Sequence, residues 1–157
     1  MNDSVVILFD GGMSDDPAFK IVSKSGKIIA NISCRELFLN SSGTMYTSGH
    51  VNNMYNRKKK FQIKNDTVLE ITQPFSYVGM KGKTLKDIVL YKDKTGDDIV
   101  ARLPKGYEIE ILLCESGAKD YDMDRIFLVK TDFGLLGWLR DEEINGGVLK
   151  ELYYAGD

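Results

Sequence analysis

The chain is poor in the residues on which most site chemistry depends. Among 157 residues there are one histidine and two cysteines. A lone His50 cannot form a histidine cluster, so no metal site of that kind can be assembled. Cys34 and Cys114 fit neither a zinc-ligand spacing nor a disulfide framework. They read as buried free thiols, which behave as small hydrophobes; a disulfide between them requires an oxidising compartment. Long apolar runs are missing as well. The longest lies near Val5–Phe9, against the ~20 residues that a spanning helix needs, so no membrane insertion is expected. Met1-Asn2-Asp3-Ser4 lacks the basic start of an export signal. Two alternatives follow: a cytoplasmic protein, or a mature form trimmed for the cell envelope. No segment repeats apolar residues at i, i+3, i+4 and i+7 for three turns, which leaves no sustained amphipathic helix.

A net charge of −2 is too small to argue for a nucleic-acid or membrane partner by itself. Its distribution says more. Residues 1–84 hold 11 Lys/Arg against 7 Asp/Glu, a balance of +4, and residues 85–157 hold 10 against 16, a balance of −6. The change of sign supports a boundary near Lys83 and reads as drift between two solvated surfaces.

Short alternating runs separated by turn residues dominate the chain, which is the strand signal. Phe19–Ser23 and Lys27–Ile32 are joined through Ser25-Gly26, and Leu37–Leu39 and Thr44–Thr47 through Asn40-Ser41-Ser42-Gly43. The next run places Tyr55, Arg57, Lys59, Phe61 and Ile63 on one face and Lys58, Lys60, Gln62 and Lys64 on the other. Asn65-Asp66-Thr67 then turns the chain into Val68–Thr72, and Gln73-Pro74-Phe75 interrupts regular pairing. These segments predict a β-meander over 17–82. Residues 1–16 read as a flexible arm, with Val5–Phe9 as its one potential strand between turn-like Asp and Gly residues.

From Lys86 the pattern tightens into five short strands: Ile88–Tyr91, Ile99–Leu103, Tyr107–Cys114, Arg125–Thr131 and Leu135–Arg140. Strands this short suit a small barrel, since closure removes exposed edges. The segment resembles the bacterial SH3 family. The resemblance rests on Leu103-Pro104-Lys105-Gly106, the Ile109/Ile111 strand, Val129, and Gly134-Leu135-Leu136-Gly137-Trp138-Leu139. It covers about a third of the chain. The sequence departs from the family at its opening, where Ile88-Val89-Leu90-Tyr91-Lys92 stands in place of an Asn-x-Arg-x-Gly-Pro stretch, and Phe127 only approximates the usual aromatic before the valine strand. The stretch from Ser48-Gly49-His50 to Gln73-Pro74-Phe75 resembles uncharacterised bacterial proteins that carry a terminal SH3-like module. The expected architecture is all-β: an N-terminal β-meander packed on a C-terminal SH3-like small β-barrel over 83–157. The tail Val148–Tyr154 is expected as a helical turn or an added strand.

Candidate chemistry is sparse. Gly82-Lys83-Thr84 ends like a phosphate-binding loop, but the glycine required five residues earlier is Tyr77. Asp120-Tyr121-Asp122-Met123-Asp124 begins like a calcium loop, yet its sixth position is Arg125 and its twelfth Thr131. It reads as a solvated loop. Cys34 with His50 is the one thiol–base pairing in the front half, and it sits in no recognisable motif. No enzyme, cofactor or metal is expected. Arg57-Lys58-Lys59-Lys60 beside Tyr55 and Phe61 matches the composition of single-strand-binding surfaces. Alternation splits that run between two faces, so it reads as a solubilising lysine face with no nucleic-acid partner.

The function expected is that of a non-enzymatic binding module. Its aromatic residues Trp138, Tyr91, Tyr107 and Phe133 would line a groove for a peptide, a peptidoglycan fragment or a partner protein. The alternative is a structural or interaction protein whose N-terminal meander is the contact surface. Phe75 and Tyr77 are read as structural residues at the seam between the modules.

Overall fold

Turn chemistry sets where this chain reverses, and the alternation between turns becomes strand in a computed structural model of the protein. The described residues are 5–11, 16–115, 125–140, 144 and 147–156. The fold is all-β, with every sheet pairing antiparallel. It divides into two units, Met1–Thr72 with Tyr154–Asp157, and Gln73–Tyr153.

The first unit holds two sheets. β1 (Val5–Asp10), β2 (Ala18–Ser23) and β3 (Ile28–Ser33) form one in sequential order. β4 (Glu36–Leu39), β5 (Thr44–Gly49), β6 (Arg57–Lys64) and β7 (Thr67–Glu70) form the other, also in sequential order. Each is a meander, so the expected connectivity holds within each sheet while the number of sheets doubles. The β6–β7 turn shows how local chemistry sets register. Asn65 and Asp66 both have positive φ, at 50° and 54°, and Lys64 pairs directly with Thr67. That is the two-residue hairpin whose twist matches its strands, and Asn and Asp tolerate it best after glycine.

Alternation then supplies the core. Ile21 from β2 meets Met45, Phe61 and Ile63 from β5 and β6, with Val5, Ile7 and Ile32 packed around them. Each such side chain contributes roughly 1.5–3 kcal/mol on full burial. The arm expected over 1–16 is therefore different in part: Val5–Asp10 pairs with β2 along six residues, and Val5 and Ile7 turn inward. Its polar flanks suggested a loose segment because they show only where the strand ends.

Among its described residues the second unit holds one six-stranded sheet. Its strands are β8 (Phe75–Lys83), β9 (Ile88–Tyr91), β10 (Ile99–Leu103), β11 (Glu108–Glu115), β12 (Phe127–Thr131) and β13 (Leu136–Leu139). They lie in the order β10-β9-β13-β12-β11-β8. β8 adds a strand to the five expected, so this unit begins at Gln73 rather than at residue 83.

The outermost strands β10 and β8 are not paired with each other. Instead each runs on into an interior strand: β8 continues through Thr84 into β9, and β10 continues through Pro104–Tyr107 into β11. Buried Thr84 holds this double bend. Its N–H donates to the Tyr107 carbonyl at 3.0 Å, and its carbonyl accepts from Gly106 N at 2.8 Å. Its hydroxyl donates to the Pro104 carbonyl at 2.8 Å and accepts from Tyr107 N at 3.1 Å. β13 then returns to pair with both β12 and β9. Ile111, Phe127, Val129 and Leu139 are fully buried in this unit, joined by Val148 and Leu149 of the tail. The tail forms a turn, Leu152 N to the Leu149 carbonyl at 3.2 Å, while Ala155 forms an isolated bridge with Asn53 in the first unit.

Candidate functional site

Inward and outward residues alternate along the strands of the second unit except at bulges, of which the one between Ile111 and Leu113 puts Leu113 on the same face as Glu110. The register therefore tells which outward side chains stand side by side. Tyr91 faces Trp138, Trp138 faces Leu128, Leu128 faces Leu113, and Leu113 faces Tyr77. One cross-strand row thus carries three aromatic and two aliphatic side chains over β9, β13, β12, β11 and β8. Tyr91, Trp138, Leu128 and Leu113 are half-buried, and Tyr77 is 60% exposed.

Two cations attend the row. Lys94 Nζ stands 5.1 Å from the Trp138 ring centre and 5.1 Å from that of Phe75, whose ring lies 6.3 Å from Trp138. The same ammonium bonds Glu115 Oε1 at 2.6 Å. The Arg140 guanidinium lies 3.8 Å above the Tyr91 ring and bonds the carbonyl of Gly96. Both contacts bring the loop between β9 and β10 to the aromatic row, Lys94 from within it and Arg140 by holding its backbone. Cations over aromatic faces in partly desolvated places are worth roughly 0.5–2 kcal/mol each.

The next row along the same face is Leu136, Lys130, Glu110 and Lys81. Glu110 stands between two lysines, 3.8 Å from Lys81 Nζ and 4.0 Å from Lys130 Nζ. Here the surface sinks into a cleft of about 450 Å³ lined by 81–83, 108–110 and 130–132. Alternation makes its outward side chains Lys81, Lys83, Lys130, Glu108, Glu110 and Asp132, three of each sign. The face therefore grades from aromatic at Tyr91 and Trp138 to balanced charge at Lys81 and Glu110.

Of the four aromatic residues singled out in the sequence, Tyr91 and Trp138 are brought together as direct cross-strand neighbours. Tyr107 belongs instead to the bend bonded to Thr84. Phe133 sits at the tip of the β12–β13 hairpin, 83% exposed and at the opposite end of that hairpin from Trp138. Leu113, Leu128 and the two cations were not visible as site residues, because only register places them beside Trp138. Phe75 and Tyr77 were visible as aromatics; their strand joins this sheet beside β11.

The other sequence motifs resolve differently. Gly82 and Lys83 end strand β8 and Thr84 is buried in the bend, so Gly82-Lys83-Thr84 forms no phosphate loop. The Asp120–Asp124 stretch lies outside the described residues. Among the described residues no three His, Cys, Asp or Glu side chains are grouped to hold a metal. Cys34 is buried, its thiol 3.7 Å from the Ile32 carbonyl. Burial pushes that thiol up to about 11, only partly opposed by the Lys59 charge. At neutral pH it is protonated, the opposite of what a nucleophile requires. Both cysteines are free thiols.

No protein-family model, no curated protein and no solved structure matches this chain.

Proposed function

We propose that the second unit is a non-enzymatic binding module of the bacterial SH3-like kind, taking a peptide-like ligand across its outer face. The ligand chemistry is that of a short peptide, a peptidoglycan stem or an extended segment of a partner protein. One observation carries the reading: the Tyr91–Trp138–Leu128–Leu113–Tyr77 row runs beside a cleft whose charges are balanced. Amphipathic aromatics bury large area at low entropic cost, and lysines and carboxylates orient a chain that carries both signs. The protonated Cys34 thiol supports a non-catalytic role.

Trp138 is the only tryptophan, so its emission reports on the site directly. Titration with peptides and with stem-peptide fragments should shift or quench that emission saturably, and Tyr77→Ala or Tyr91→Ala should weaken the response several-fold. Saturable binding that leaves Trp138 emission unchanged and survives both substitutions would place the ligand elsewhere and defeat the proposal.

A second reading makes the N-terminal strands the contact surface of a structural or interaction protein. It is supported by the outward row Val6, Val22 and Ile28 on the first sheet, with Leu8 beside it; Val6, Leu8 and Ile28 are exposed. A solution mass that falls from dimer to monomer on Leu8→Lys would favour it over the first.

A further inference from the structure

We infer that the outward face of the β4–β5–β6–β7 sheet binds single-stranded nucleic acid. This rests on the first unit alone and is independent of the peptide site.

The lysines of β6 divide between two faces. Arg57 and Lys59 fall on the inward side with buried Phe61 and Ile63, and Lys59 pairs with Glu70 at 3.6 Å. Lys58, Lys60 and Lys64 point outward, which leaves a line of three cations on one strand. Taken alone, that line is an ordinary solvated edge. Register changes its meaning by adding rings from other strands. Lys60 faces Tyr46, and Tyr46 faces Phe38, so an ammonium, a phenol and a phenyl stand in one row across three strands. Phe38 is 62% exposed and Tyr46 46% exposed, and Lys60 Nζ lies 6.0 Å from the Tyr46 ring centre. Lys58 lies one outward position along, facing Ser48, and Leu69 extends the apolar surface opposite Gln62.

Two large rings left in water as direct neighbours, beside a row of cations, match one kind of occupant closely. Bases stack on exposed aromatics whatever their identity, while the backbone phosphates meet lysines. Charge complementarity favours a polyanion: the outward acid on these paired positions is Glu36, already held by the Ser48 hydroxyl at 2.7 Å. The same lysines disfavour a second copy of the chain, since a twofold contact would set the row against itself. An anionic membrane would satisfy the lysines but would not require adjacent rings.

The test is fluorescence anisotropy of the full chain with a labelled oligothymidylate, run beside the same length of duplex and beside vesicles containing phosphatidylserine. Saturable binding to the single strand is expected, weaker to duplex. Three neutralised phosphates give a slope of log affinity on log salt of about −2. Phe38→Ala and Tyr46→Ala should each lower affinity about fivefold or more. The triple change Lys58→Gln, Lys60→Gln, Lys64→Gln should lose most of the binding while the circular dichroism spectrum stays that of the parent. No saturable binding to the oligomer overturns the inference. So does binding that survives the lysine changes, binding indifferent to Phe38 and Tyr46, equal preference for duplex, or attachment to vesicles in place of the oligomer.

Discussion

A Cβ built on Gly137 would stand 2.7 Å from the Leu90 Cβ and 3.3 Å from the Tyr91 carbonyl oxygen. This is where β13 returns to β9 with a single register pair, Trp138 to Tyr91. The second glycine of the Gly-x-x-Gly-Trp motif thus permits close approach of two backbones, while the first, Gly134 at φ +98°, makes the hairpin turn. Gly137→Ala should destabilise the protein by about 1–3 kcal/mol, because Leu90 is fully buried and has no room to give. Chemical denaturation measures the loss, and Trp138 emission should change with it.

Thr84 is the second pivot. Thr84→Val keeps the side-chain volume but removes the hydroxyl that serves both the Pro104 carbonyl and Tyr107 N. Tyr107 N keeps its own bond to the Pro104 carbonyl at 3.3 Å, so loss of the hydroxyl bonds should cost roughly 0.5–1.5 kcal/mol, and the denaturation midpoint should fall accordingly. Thr84→Ser, which retains the hydroxyl, should recover part of that loss.

Two phenylalanines on one hairpin should behave as opposites. Phe127 is fully buried and Phe133 is 83% exposed. Phe127→Ala should cost about 3–5 kcal/mol through lost burial and the cavity left behind. Phe133→Ala should stay within about 0.5 kcal/mol of the parent, as surface changes do. Equal losses at the two positions would contradict the burial pattern of the β12–β13 hairpin.

Cys34 makes stability depend on alkaline pH. Its thiol titrates at about 11 in the folded protein against an ordinary thiol value of 9.0, with burial the main cause. The folded state therefore holds the proton more tightly. The resulting stabilisation is fully present below pH 9 and is lost as pH rises from 9 through about 11. Cys34→Ala should show a shallower decline in denaturation midpoint between those pH values than the parent. The parent thiol should also resist alkylation at pH 7.5 until denaturant is added.

The positions where the chain turns were legible from residue chemistry, and so was its strand content. Asn65-Asp66, Ser25-Gly26 and Asn40–Gly43 lie at reversals, since each supplies a positive φ or a side-chain acceptor for the turn. The face assignments along β6 were legible too, because strand period is local: Phe61 and Ile63 face inward and Lys58 and Lys64 outward. The strand at Val5–Asp10 was harder to read, as its flanks are turn-like and its justification is a partner strand lying beyond them, at Ala18–Ser23.

What a sequence of this kind determines alone is the all-β class, the hairpin turns and the side of each strand that seeks a core. Those depend on φ preference and on a period of two residues. Only the tertiary structure decided that Phe75–Lys83 joins the second sheet, that Trp138 stands beside Tyr91 rather than Phe133, and that Phe38 and Tyr46 flank the lysine row. Lateral neighbours are chosen by long-range pairing and register, and residues that share a row can be tens of positions apart in the chain.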